Sequence, residues 1–95
     1  EYNRSVPGPF KNAFDCLAAE WAGKPVAFVG YGPSGAVRAI EAWRPIVVNF
    51  SMPQLRNQLD FGFFTDWADG EFRPADAKVE RTNSLLAELE DALSA

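Results

Sequence analysis

Ninety-five residues with a formal net charge of −4 sit near the lower limit for one domain, and the acidic balance argues against the clustered Lys and Arg of a nucleic-acid surface. A composition of 47% hydrophobic and 14% aromatic residues places the chain in the globular class, and eight Phe with three Trp predict a surface covered by a partner or by further chain. No apolar run approaches the roughly 18 residues needed to span a membrane, and a single cysteine, Cys16, cannot close an internal disulfide and fits a reducing, cytoplasmic setting.

The chain opens on a polar turn, Glu1 to Asn12, with Pro7, Gly8 and Pro9 clustered where a loop gives way to regular structure. Phe10, Ala13, Phe14, Leu17 and Trp21 recur at helical spacing, predicting a helix from about Pro9 to Trp21 with Gly23 as its stop. Val26 to Gly30 is a short apolar run bounded by Pro25 and Gly30, the pattern of a parallel strand buried on both faces. A loop of small residues, Tyr31 to Gly35, leads into a second helix predicted over Ser34–Trp43. Ser34 is its expected N-cap, Val37, Ile40 and Trp43 its apolar face, and Arg38 and Glu41 an i,i+3 pair. Pro45 disfavours helical geometry at Arg44 and predicts the end of the element. Ile46 to Phe50 then reads as a second buried strand, so that strand, helix and strand form one right-handed parallel crossover.

Residues 51–73 read as an extended segment with partial alternation, carrying Leu55, Leu59, Phe61, Phe63 and Phe64, and Trp67-Ala68-Asp69-Gly70 reads as a turn. From Pro74 a last helix is predicted, with Val79, Thr82, Leu86, Leu89 and Leu93 on one stripe.

The absence of histidine removes Ser-His-Asp and Cys-His catalysis and the commonest zinc ligand. Cys16, within the first predicted helix, is expected to be a small buried or interface residue. Asp66, Asp69 and Glu71 lack the ligand spacing of a calcium loop and are expected to form a solvated turn, and no metal site is predicted. Glu88, Glu90 and Asp91 are expected on a wet helix face. Gly30-x-Gly32-x-x-Gly35 matches the dinucleotide fingerprint, but Asn49-Phe50-Ser51-Met52 stands where its acidic residue belongs, which disfavours a Rossmann site. Small residues there would still let backbone groups approach a flat ligand at the carboxyl end of a strand. The Tyr2-Asn3-x-Ser5 loop likewise sets an aromatic, an amide and a hydroxyl at a helix N-terminus, where free N–H groups and the dipole favour polar or anionic atoms.

The order Glu-Tyr-Asn-x-Ser-x-Pro-Gly-x-x-Lys-Asn-Ala-x-Asp, from Glu1 to Asp15, resembles the signature of the NADPH-dependent FMN reductase family. The likeness continues through Trp21–Val26 and Gly30–Ala39, and more loosely to the end. It implies an α/β, flavodoxin-like, doubly wound parallel sheet, here incomplete: the first strands and the phosphate-binding loop of the family are absent, so residues 1–95 look like the C-terminal half of one domain. It further implies that FMN is contacted by Glu1, Tyr2, Asn3 and Ser5 and by Gly32, Ser34 and Gly35. Pro33 departs from the family's usual glycine and lacks an N–H to offer.

By the same resemblance, the complete protein would pass hydride from NADPH through FMN to a quinone, azo compound, metal oxyanion or free flavin. It would act as a homodimer or tetramer, without a catalytic acid, base or nucleophile from the protein. The alternative from a different class is a non-catalytic half-domain that persists by self-association or by binding a partner.

Overall fold

A computed structural model describes residues 1–94. Helix α1 covers Gly8–Phe14, strand β1 Val26–Gly32, helix α2 Val37–Val48 and strand β2 Gln54–Gly62. A small hairpin, β3 at Trp67–Ala68 and β4 at Glu71–Phe72, precedes helix α3 at Asp76–Ser94. β1 and β2 pair in parallel, and β3 and β4 antiparallel. The expected parallel crossover is present, with α2 as its helix, but its second strand is β2 and not Ile46–Phe50. Helices pack on opposite faces of the parallel pair, α2 on one and α3, over β2, on the other. Gln58 reaches Arg44 of α2 on one face, and neighbouring Leu59 lies against α3 on the other, as alternation along a strand requires. The fold is therefore α/β, consistent with part of a flavodoxin-like sheet.

Pro45 sits inside α2 and does not end it. Three things offset the lost backbone donor. Val47, two residues on, is among the most deeply buried side chains. The Arg44 carbonyl accepts a hydrogen bond from Gln54 Nε2 at 3.2 Å. The Arg44 guanidinium donates to Gln54 Oε1, the Leu55 and Arg56 carbonyls and Gln58 Oε1, at 2.7–3.1 Å. Those carbonyls belong to an irregular stretch of β2, where the register moves from Val26↔Gln54 to Phe28↔Gln58. Such a bulge leaves ladder groups unpaired, and Arg44 supplies donors to them. Ile46 to Phe50 consequently forms the end of α2 and a tight turn, in which Ser51 has a positive φ of 53°.

Helix α1 is shorter than its periodicity predicts because Trp21 folds back instead of extending it. The Trp21 indole N–H donates to the Phe14 carbonyl at 3.0 Å, and the two rings stack with centroids 4.8 Å apart. The Phe14 carbonyl, at the helix end where intrahelical partners run out, accepts from this indole and from the Leu17 N–H at 3.3 Å. Cys16 therefore lies beyond the helix and is exposed, not buried, with its Sγ 3.3 Å from the Asn12 carbonyl.

The main core joins α1, α2 and β1 through Phe14, Trp43, Val47 and Met52, flanked by Trp21, Val26, Phe28, Ile46 and Phe50. Phe14 and Trp43 meet edge to face at 5.2 Å, a geometry that favours aromatic pairs. On the opposite face Leu85 is the buried residue of α3, whereas Val79, Leu86 and Leu93 of the predicted stripe are exposed. Thr82 and Leu89 of that stripe remain half-buried beside Leu85, so part of the stripe faces inward, and polar contacts flank it. Arg81 donates to the Gln58 carbonyl at 3.1 Å, and Asn57 donates to Glu88 at 2.9 Å, which takes Glu88 off the wet face expected for it. Glu90 and Asp91 are exposed as expected.

β1 is not buried on both faces. α3 lies mainly over β2, so Val29 is 61% and Tyr31 65% exposed.

Candidate functional site

The Glu1–Ser5 segment is a closed two-residue turn. Tyr2 and Ser5 exchange backbone hydrogen bonds, Tyr2 N–H to the Ser5 carbonyl at 3.1 Å and Ser5 N–H to the Tyr2 carbonyl at 3.2 Å. Between them Asn3 and Arg4 have φ of 50° and 71°, the left-handed pair that a type I′ turn demands. Asn tolerates this region readily and Arg less so, so the turn needs support from its surroundings. Tyr2, Asn3 and Ser5 project from it into solvent.

Glu1 provides an anchor. Its carboxylate accepts from Arg38 Nε at 2.8 Å and from the Ala39 backbone N–H at 3.1 Å, with Arg38 Nη2 at 2.6 Å. The Arg38 guanidinium holds the Glu1 carboxyl below its ordinary range, partial burial opposes this, and the Ala39 N–H adds to the lowering. Arg38 thus pairs with Glu1 across the fold, and Glu41 faces Arg44 at 3.5 Å, which replaces the expected Arg38–Glu41 pair. The turn carrying Tyr2, Asn3 and Ser5 is in this way fastened to the first turn of α2, the helix that the Gly32–Ala36 loop leads into.

That loop is packed inward at its glycines. A Cβ on Gly30 would lie 2.7 Å from the Gly35 carbonyl oxygen, 2.8 Å from Ala36 Cβ and 3.1 Å from Ile40 Cδ1. Ala36, at the N-cap in a left-handed conformation (φ 60°), fills the space that Gly30 leaves. Gly35, at φ 69°, has Asp60 Cβ 2.7 Å from where its own Cβ would stand. Its N–H donates to the Gly32 carbonyl at 3.1 Å, and Phe63 N–H reaches that same carbonyl at 3.1 Å. Of the three loop residues expected at a ligand, Ser34 is exposed, while Gly32 and Gly35 are buried and committed to the turn. Ser34 does not cap α2, whose N-cap is Ala36 and carries no side-chain hydrogen bond.

The carboxyl ends of the parallel strands meet a second group of residues. Tyr31, Phe61, Trp67 and Phe72 line an apolar depression, with Trp67 4.8 Å from Phe72 and 6.5 Å from Tyr31 by ring centroid. Asp66 organises the turn beneath it. This residue is only 1% exposed, contrary to the solvated turn its spacing suggested, while Asp69 and Glu71 are exposed. Its carboxylate accepts from the Gly62 N–H at 2.9 Å and the Thr65 hydroxyl at 3.0 Å, and Lys78 Nζ of α3 lies 3.7 Å away. The Gly62 N–H is the main cause of a lowered Asp66 pKa, which burial opposes and Thr65 and Lys78 reinforce. Spacing alone did not distinguish Asp66 from its exposed neighbours: Gly62 and Thr65 are near in sequence, but only the fold of the turn brings their donors, and Lys78 of α3, around its carboxylate.

Among the described residues no cluster of three or more potential ligands could hold a metal ion, and no helix is long and apolar enough to cross a membrane.

Comparison with known proteins converges on one family. The family model described as NADPH-dependent FMN reductase matches residues 1–66. An NAD(P)H-dependent FMN reductase, ntnL, from a Nectria species is 54% identical over 39 residues, which cover 41% of this chain and 19% of that protein. A quinone reductase from Pseudomonas putida is 43% identical over 60 residues, covering 56% of this chain and 32% of its own length. The chain therefore spans between about a fifth and a third of these curated relatives.

Proposed function

The chain belongs to the NADPH-dependent FMN reductase family, and we propose that the complete protein is an FMN-dependent NAD(P)H oxidoreductase in which these residues supply one wall of the flavin site. The observation that carries this reading is the anchored turn. Glu1 ties the Tyr2–Ser5 turn to α2, so an aromatic ring, an amide and hydroxyls are presented near the carboxyl end of a parallel strand, where open α/β sheets bind ligands.

The residues fit the flat ring of FMN unequally. Tyr2, Asn3, Ser5 and Ser34 have exposed side chains that can orient the ring by stacking and hydrogen bonding. Gly32 and Gly35 would shape the loop, since the Gly35 N–H is already bonded within it and Pro33 has none. Glu1 would act at one remove, its carboxylate being engaged by Arg38 and Ala39. A bound flavin would supply the redox chemistry, accepting hydride from the nicotinamide and passing electrons on, while the protein holds and orients it. NADPH as donor, a quinone, azo compound, metal oxyanion or free flavin as acceptor, a cytoplasmic location and a homodimer or tetramer belong to the same proposal. The quinone reductase named among the relatives supports the first of those acceptors.

The test is Tyr2→Ala and Asn3→Ala in the full-length protein. Loss of one side-chain hydrogen bond or stacking contact, worth about 0.5–1.5 kcal/mol, corresponds to roughly 2- to 12-fold weaker FMN binding. Wild-type flavin content and NADPH oxidation rates in both variants would overturn the site assignment.

A further inference from the structure

We propose that Glu1 is a positioning residue: its carboxylate serves as the cap that α2 lacks, and thereby locks the Tyr2–Ser5 turn and the Gly32–Ala36 loop into one rigid unit. The first observation is the state of the α2 N-terminus. Its N-cap, Ala36, makes no side-chain hydrogen bond, and no acidic residue lies in the first turn. Free N–H groups and the positive end of the helix dipole at such a terminus favour a carboxylate. Glu1, remote in sequence, meets that need through the Ala39 N–H, while Arg38 in the same turn engages its other oxygen. The Glu1 side chain is 11% exposed and that of Arg38 41%, so the carboxylate is the sheltered partner.

The second observation is the turn itself. Two consecutive non-glycine residues at positive φ, closed only by the Tyr2–Ser5 pair of backbone bonds, make a conformation that relies on an external anchor. Glu1 directly precedes that pair. Its three contacts fix both where the turn sits and how it faces α2, and charge-assisted bonds of this kind are the stronger ones. The consequence for flavin binding rests on the function proposed above; the locking of turn to helix does not.

The test separates the two. In flavin-free full-length protein, amide hydrogen exchange at Ser5 and Ala39 reports the turn and the cap directly. Glu1→Gln and Arg38→Ala should each speed exchange at both amides, roughly fivefold or more for loss of a charge-assisted bond. The double variant should exceed the more affected single variant only slightly, because the contacts act as a unit. Arg38→Ala removes only the more exposed partner of the pair, so it still decides the matter if Glu1→Gln unfolds. FMN titration by fluorescence quenching should show several-fold weaker binding in both variants. Wild-type exchange at Ser5 in Arg38→Ala or in folded Glu1→Gln would overturn the proposal. If the wild-type protein binds no FMN, the proposed function fails, while the exchange rates still decide the role of Glu1.

Discussion

Gly30 is the position where one methyl group tests the packing beneath the candidate loop most directly. A Cβ there would stand 2.7 Å from the Gly35 carbonyl oxygen and 2.8 Å from Ala36 Cβ, both nearer than real Cβ contacts allow, and 3.1 Å from Ile40 Cδ1. Two of these neighbours cannot step aside. Gly35 belongs to a hydrogen-bonded turn at φ 69°, and Ala36 is the left-handed residue that starts α2. Gly30→Ala must therefore push α2 away from β1, and overpacking of this kind costs about 1–3 kcal/mol. Gly8 provides the control, because a Cβ there meets nothing within 4 Å, and alanine there should be close to neutral, its better helix propensity being opposed by the crowding of a side chain before Pro9. Denaturant titration of both variants should lower the midpoint for Gly30→Ala at unchanged slope, and leave it nearly level for Gly8→Ala. If FMN binds beside the loop, Gly30→Ala should weaken that binding as well, because the Gly32–Ala36 loop shifts with α2. Equal midpoints for Gly30→Ala and wild type would refute the account of why a glycine stands at the end of β1.

Two further outcomes follow from charge and from the sheet edge. Asp66 has a lowered pKa in the folded state, so its contribution is fully present above the unfolded value of about 3.9 and is lost as pH falls through the folded value. Asp66→Asn should accordingly be less stable than wild type at neutral pH, with the gap narrowing below about pH 4; parallel stability profiles would contradict this. Among the described residues β1 is paired only with β2, and Val29 and Tyr31 stand exposed beside it. The 95-residue chain expressed alone is therefore expected to self-associate, since burying these two large side chains would return roughly 3–6 kcal/mol. A monomer in sedimentation with a sharp cooperative melt would show that this edge is self-sufficient.

Much of the candidate site is legible in the chain itself. The Glu1–Asp15 motif carries the family, and the family model matches there and onward to residue 66. The glycines at 30, 32 and 35 mark a loop at the end of a strand, and the structure puts one there. Less legible was what each residue does. The role of Gly30 is to admit Ala36, a contact between a strand and the helix after it. Glu1, grouped by its motif with the residues expected at a ligand, spends its carboxylate on Arg38 and Ala39. Asp66 resembles its solvated neighbours in sequence and is buried in space.

The sequence alone determined the α/β class, the parallel crossover, the motif loops and the family, because these follow from residue order and from short-range periodicity. Tertiary structure decided where elements stop and which short apolar run becomes the strand. Ile46–Phe50 and Gln54–Gly62 could each have completed the crossover. Burial of Val47 and the bonds from Arg44 to the β2 bulge kept the first in helix and turn and made the second the strand. Trp21 likewise ended α1 by returning its indole to Phe14. Each outcome turns on a contact between residues at least seven positions apart, beyond the reach of helical periodicity, and local propensity, worth only tenths of a kcal/mol per residue, yields to such packing.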